Sequence, residues 1–384
     1  MDHYILPVDT GVNRQYTFRN SRVRSRNVSK NEAKNVTRIG PRQSGAATIV
    51  DVADRAGVSK KTVSRVLNSE PNVRPETRDK VLRAIDELKF RRSRLGLALA
   101  HSRSYMIALV YDNPSADFLS YLQTGIMSAC KSRGIGLYLH QCSGDSPTLV
   151  EDIAQMIGNT AVDGLVLPSP VCDNEPLLAL LEEDDVPYVC INPKDQDHGL
   201  SVSVNHEQSA FELTEHLIGL GHTRIGFIKG HPALGSSDKR ERGFRRALTD
   251  HGIGVDEALL VRGMNDFASG RDAAATLLQL DDRPTAIFAN NDEMAAGVLY
   301  EAQSHSLRVP EDVSLIGFDN TPFSQHVWPR LTTAGQPIAE MGTTAAAMLI
   351  DSFNDREDPS EEHAAHVVMD CEILIRESSA SATT

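Results

Sequence analysis

From Thr48 onward the chain falls into helical periods. Ile49, Val52, Ala53 and Ala56 recur at helical spacing, and Gly57 ends the run. Ser59 suits the N-cap of a second helix with Val63, Val66 and Leu67 on its inner face. After the polar stretch "NSEPNV", Pro75 suits a first helical turn, and Val81, Leu82, Ile85 and Leu88 supply the inner face of a third helix. These three short helices predict a small bundle. From Met106 the pattern changes. The apolar runs "MIALVY", "IGLYLH", "GLVLP" and "PYVCI" read as buried strands separated by amphipathic helices, and "RIGFIKG", "TAIFAN" and "VSLIGF" continue the alternation after Asn205. Strand–helix alternation of this kind predicts parallel sheets covered on both faces. Two such halves enclose a cleft at the C-terminal ends of their strands.

Upstream of the first helix no apolar period is sustained. Residues 1–45 are rich in Asn, Ser, Thr and Arg and read as a disordered arm. The expected layout is a helical domain over 46–89, a hinge over 90–103 and an α/β body over 104–384. Within the body, one lobe takes about 104–204 and 336–366, and the other about 205–335 and 367–384.

Charge sharpens this layout. The chain of 384 residues has a formal net charge of −13. Residues 1–103 nevertheless hold 22 Lys and Arg against 10 Asp and Glu, while the remainder holds 17 against 42. A basic end can meet a polyanion that the acidic body repels. No apolar run is long enough for a membrane span, and the N-terminus lacks the apolar segment of an export signal, so a cytoplasmic protein with no membrane partner is expected. The five cysteines are scattered without a CxxC spacing, which argues for buried hydrophobes in a reducing compartment.

The helix pair is where the basic end becomes specific. Ala56-Gly57 gives a tight turn, and Val63 and Val66 anchor the second helix, leaving Lys60, Lys61, Ser64 and Arg65 outward. Arg65 can donate two parallel hydrogen bonds to guanine O6 and N7, and Lys60 and Lys61 can reach base acceptors or phosphates. Ser59, Thr62, Ser64 and Asn68 carry short donors suited to phosphate oxygens.

The stretch "TIVDVADRAGVSKKTVSRVLN" resembles the DNA-binding headpiece of the lactose/galactose-repressor family of bacterial transcription regulators. The resemblance covers about residues 48–376 and includes "VRPETRDKVLRAIDEL", "LIGLGHTRIGFIKG", "RERGF", "NNDEMAAG", "VSLIGFDN" and "PRLTT". It implies a helix-turn-helix headpiece followed by a two-lobed core like the periplasmic sugar-binding proteins. Lys60, Lys61 and Arg65 fall where the family reads bases; Thr48, Ser59, Thr62, Asn68, Asn72 and Arg74 fall where it contacts backbone or flanking bases. Leu99 matches the hinge-helix leucine that wedges into the minor groove, a cost repaid only when flanking contacts hold the bend. The hinge departs from the family: Phe90-Arg91-Arg92-Ser93 lacks the usual proline, and Gly96 costs about 1 kcal/mol against alanine within a helix. A hinge that folds only on DNA is expected.

For the body the resemblance implies a sugar-binding cleft. Asp292 and Arg240 match positions that grip the effector. Asn192 and Asp117 are further candidates from the N-terminal lobe, and the aromatic platform usual near Asn265 has Phe267 as its nearest ring. Planar bidentate side chains of this kind grip adjacent hydroxyls. His222 in "LGHTRIGF" reads as a structural corner.

The expected function is a transcription regulator, a repressor of carbohydrate-utilisation genes that binds double-stranded operator DNA as a homodimer under a small-molecule effector. A nucleoside-responsive regulator of the same fold is the alternative effector reading. A free-standing sugar receptor would need an export signal and no headpiece. An α/β enzyme would need a phosphate-cradling glycine loop, which the sequence lacks, and neither a cofactor nor a metal is expected. The ending "EILIRESSASATT" offers no apolar heptads for a tetramerising coiled coil.

Overall fold

The computed structural model describes residues 47–67, 70–90, 103–113, 115–195, 199–355 and 366–382. The chain divides between Arg91 and Arg92 into two compact units.

The first unit contains α1 (Ile49–Ala56), α2 (Lys60–Leu67) and α3 (Pro75–Glu87). Thr48 closes α1 with a capping box: its hydroxyl accepts from Asp51 N–H at 3.4 Å, and the Asp51 carboxylate accepts from Thr48 N–H at 2.7 Å. Gly57 ends the helix at φ +66°, a left-handed conformation that an L side chain would strain, so the chain can turn at once into α2. Ser59 caps α2 as expected, its Oγ accepting from Thr62 N–H at 3.1 Å. Val52, Ala53, Val63, Val66, Val81 and Ala84 form the buried centre. Leu82 does not join them. It lies one residue, or about 100°, round the helix from Val81 and is 50% exposed, while Ala84 takes the inner position.

In the second unit the first lobe alternates β1 (Met106–Tyr111), α4 (Ala116–Arg133), β2 (Gly136–Gln141), α5 (Leu149–Thr160), β3 (Gly164–Pro168), α6 (Glu175–Glu183), β4 (Tyr188–Ile191) and β5 (Leu200–Val204). The second lobe follows with α7 (His206–Gly219), β6 (Ile225–Lys229), α8 (Gly235–Asp250), β7 (Leu260–Arg262), α9 (Phe267–Leu278), β8 (Ala286–Ala289), α10 (Asp292–Ser304), β9 (Ser314–Ile316), α11 (Pro322–His326) and β10 (Thr333–Gly335). The chain then returns through α12 (Ile338–Asp355) and β11 (His366–Met369) and crosses again to β12 (Glu372–Leu374).

Among the described residues the first sheet has the order β11-β5-β4-β3-β1-β2 and the second β7-β6-β8-β9, with every neighbouring pair parallel. β10 and β12 pair antiparallel beside the second lobe. Because His366–Met369 pairs with β5, the last crossing follows Met369 rather than residue 366. Each parallel sheet is packed on both faces. Ile107, Leu122, Val189 and Leu349 lie in one core of the first lobe and Val110, Ile153, Leu167 and Leu177 in the other. The second lobe has the same arrangement, with Phe227, Phe244 and Phe288 in mutual ring contact on one side. The "IGLYLH" run departs from the buried strand its composition predicts. As β2 it is an edge strand, with Tyr138 and Leu139 exposed.

His222 is buried at a corner of the second lobe. Its Nδ1 lies 2.9 Å from Thr285 Oγ1, and its Nε2 lies 3.1 Å from Ser314 Oγ and 2.9 Å from the Ala380 carbonyl. It ties the α7–β6 turn to the C-terminal segment.

Candidate functional site

The helical unit presents one polar face. Lys60, Lys61 and Arg65 are exposed on α2, and Ser59, Asn72 and Arg74 are exposed around it, while Thr62 and Ser64 are half-buried. Val63 and Val66 fix the rotation of α2, so the outward residues are an inevitable consequence of helical geometry. Arg65 is not idle: its Nε lies 3.4 Å from the Glu70 carboxylate, an exposed pair. The Thr48 and Ser59 hydroxyls are engaged as caps. Asn68 and Leu99 lie outside the described residues.

The second candidate region is the cleft between the lobes. Its lining residues follow the C-terminal ends of strands: Asn113 after β1, Ser169 after β3, Asn192 after β4, Asn265 after β7, Asn291 after β8 and Asp319 after β9. Parallel sheets leave their loops on that edge, which is where such folds bind ligands. Arg240, from α8, organises the second-lobe wall. One guanidinium nitrogen donates to the Asn290 carbonyl, another to Asp319 Oδ1 at 3.1 Å, and Nε to His206 Nδ1 at 3.4 Å. Its carbon sits 3.7 Å from the Phe318 ring centroid, a buried cation–π contact. Gln336 Nε2 donates to the same Asp319 oxygen at 2.6 Å, leaving Gln336 Oε1 buried without a partner among the described residues.

Burial raises the Asp319 carboxyl above the ordinary range, and the adjacent Arg240 opposes that rise. His206 is held well below the usual histidine range by burial first and by Arg240 and Lys239 second, so it is a neutral acceptor for Arg240.

The structure brings three of the sequence candidates together: Arg240, Asn192 and Asn265 all line the inner cleft. Asn192 and Asn265 adopt left-handed φ of 53° and 63°, conformations that asparagine tolerates better than most residues. Asn265 Oδ1 accepts from His231 N–H and Asn290 Nδ2, both at 3.2 Å. Gly230 makes this possible, because a Cβ there would collide with both amide side chains.

Asp292, Asp117 and Phe267 are placed elsewhere. Asp292 starts α10 but is wholly buried behind the wall, with Oδ1 accepting from Thr333 Oγ1 at 2.7 Å and Oδ2 from Thr321 N–H at 2.8 Å. Burial and then the nearby Asp319 push its carboxyl up to about 8. Asp117 occupies the first turn of α4, where with Asp266 it adds to the burial that raises the Glu293 carboxyl. Phe267 packs edge-on against Tyr300, with ring centroids 5.8 Å apart, and is not among the cleft-lining residues. The acidic group at the inner cleft is therefore Asp319, with Gln336 beside it. A sequence signal existed for Asp319, which comes just after a short apolar run in "LIGFDN"; Gln336 follows the strand Thr333–Gly335, which no apolar run announces.

The inner cleft is small, about 40 Å³, and its lining shares Asn113 and Leu234 with an outer chamber of about 590 Å³. Among the described residues no group of His, Cys, Asp and Glu is arranged to hold a metal ion, and no helix is long and apolar enough to cross a membrane.

The model of bacterial regulatory proteins of the lacI family matches residues 48–93, and that of the periplasmic binding protein-like domain matches 214–379. Catabolite control protein A of Priestia megaterium is 35% identical over 311 residues, covering 80% of this chain and 92% of that protein. The lac repressor dimer bound to operator and the anti-inducer ONPF superposes with a TM-score of 0.73 at 25% identity, covering 87% of this chain and 99% of that one. A complex of the transcriptional regulator CelR with cellobiose gives 0.65 at 30% identity, over 87% and 100%.

Proposed function

Because this chain belongs to the lacI family of bacterial regulatory proteins, we propose that it is a cytoplasmic homodimeric repressor whose operator affinity is set by a small neutral polyol, carbohydrate in class. The observation that carries the effector reading is the buried Arg240–Asp319 pair, ringed by amide and hydroxyl side chains from both lobes. Paired with each other, the two charges leave the wall near neutral. Gln336 Oε1, on the cleft lining, is a buried acceptor without a partner among the described residues, suited to a hydroxyl donor. The CelR–cellobiose neighbour supports the same class.

Arg65, Lys60 and Lys61 read bases in the major groove, and the flanking hydroxyls, Asn72 and Arg74 fix the register on phosphates. One headpiece covers a half-site, so a two-fold dimer and a near-palindromic operator follow; the lac repressor neighbour, a dimer bound to operator, supports the dimer. Light scattering should return twice the 42.0 kDa chain mass; a monomer or a DNA-independent tetramer would refute the dimer.

The test of the function starts from operator fragments selected on the full chain. Their affinity is then measured by fluorescence anisotropy against neutral sugars, sugar phosphates, nucleosides and nucleobases. A neutral sugar should shift the binding midpoint by about tenfold or more, since an effector acts only through its differential affinity for two states. A response to nucleosides or nucleobases alone would overturn the carbohydrate reading.

A further inference from the structure

Resting on the polyol reading above, we infer that the effector is a neutral oligosaccharide of two or more units, with one terminal residue at the inner cleft and the rest in the outer chamber. The volumes carry the argument. Small-molecule sites usually enclose about 300–1,000 Å³. The inner cleft, at about 40 Å³, falls far below that range, whereas the outer chamber, at about 590 Å³, falls within it. Most of a ligand's bulk therefore lies outside the Arg240–Asp319 wall. Asn113 and Leu234 line both spaces, so a single chain of rings can run from one into the other.

The chamber's surface matches sugar rings. Pro170 is the half-buried apolar residue of its lining, with Leu149, Val171 and Leu234 buried behind it, and Gln141, Ser143, Asp145 and Lys194 stand exposed at its edge for ring hydroxyls. Its charge selects against anions. Asp112, Asp145 and Asp173 line it against Lys194, so a phosphorylated or uronic sugar would meet an excess of like charge. Asp112 and Asp173 are held in place by backbone N–H donors, Gly144 at 2.6 Å and Lys194 at 2.7 Å, so those carboxylates cannot swing away.

The experiment uses the full chain and calorimetric titration with matched probes: glucose against cellobiose, maltose and cellotriose; xylose against xylobiose; galactose against lactose and melibiose; and glucose 6-phosphate and glucuronate as anions. At least one oligosaccharide should bind about tenfold or more tightly than its own monosaccharide. Ser143→Trp, which adds bulk at an exposed rim position of the chamber, should compress that ratio toward one, and Asp145→Ala should lower it. A monosaccharide that binds as tightly as its oligomers overturns this inference while leaving the polyol reading intact. So does a preference for either anion. If no neutral carbohydrate binds, the polyol reading itself fails and takes the inference with it. The body's thermal transition without sugar, measured for each variant, shows whether it is folded.

Discussion

The headpiece and the cleft reach function by opposite routes. The headpiece keeps a small apolar centre of valines and alanines and exposes its chemistry: Lys60, Lys61 and Arg65 face solvent. The cleft buries its chemistry: Arg240 and Asp319 have side chains only 4% and 7% exposed. An exposed cation costs little to carry and can be changed without harming the fold. A buried one must be compensated in every state, so ligand recognition and stability are inseparable there.

The largest effect should come from attacking the headpiece where its margin is thinnest. Val63 is fully buried in a core of few side chains. Val63→Asp would place an unpaired carboxylate there, which so small a core cannot absorb. Operator binding should vanish while the body's thermal transition stays in place. If Val63→Asp retains operator affinity, α2 is not held by that core.

The cleft should respond in stability first. Arg240→Ala leaves Asp319 buried beside Gln336 without its cation, a change expected to cost about 3–5 kcal/mol. Chemical denaturation of the body reads this directly. Adding Asp319→Ala should recover part of the loss, because both charges then leave together. No recovery would mean that the pair's coupling is not what the wall depends on.

This contrast also explains what could be read from the sequence. On a helix, outward positions follow from the spacing of inward ones, so Lys60, Lys61 and Arg65 are legible from Val63 and Val66 alone, while Ser64, also expected outward, ends half-buried. The alternation of strands and helices likewise announced both parallel sheets. The cleft residues come from loops after strands far apart in sequence, and no period links Asn113 to Gln336. Asp292 and Asp319 show the difficulty. Both follow apolar strands, yet Asp292 is the first residue of α10 and folds back onto the Thr321 and Thr333 donors, while Asp319, at φ 108°, stays at the cleft edge. Backbone direction decides which carboxylate lines the cleft, and composition does not encode that. Leu82 and the "IGLYLH" run were misplaced for a related reason: an apolar side chain marks burial only where the fold supplies a neighbour.

A smaller effect returns to the exposed side. Arg65→Ala should weaken operator binding by about 1–3 kcal/mol and relax preference at one base pair. It also releases Glu70, but that exposed pair is worth at most about 1 kcal/mol, so the melting of the headpiece should hardly move. Unchanged specificity in the variant would remove Arg65 from the reading face.

The smallest effect separates buried from exposed charge by pH. The Asp292 carboxyl is pushed up to about 8 in the folded protein by burial first and by Asp319 second, with Arg240 and Arg376 also nearby. Unfolded, it titrates near about 4, so between those values the folded state holds the extra proton. Its contribution to stability is thus complete below about pH 4 and is lost as pH rises through about 8. His206, His216 and His222 act in the opposite sense, since burial lowers each of them; unfolded imidazoles are half protonated at about pH 6.5 and neutral only about one unit higher, so the histidines offset part of the loss over the lower half of the interval. Between pH 6.5 and 8 Asp292 by itself should cost the body about 1–2 kcal/mol. Asp292→Asn keeps an acceptor for Thr321 N–H and offers a donor to Thr333 Oγ1, whose hydroxyl can rotate to accept. Thermal melts across that interval should fall less steeply in Asp292→Asn than in the wild type. Parallel slopes would mean that Asp292 is already ionised at neutral pH, as an exposed carboxylate would be.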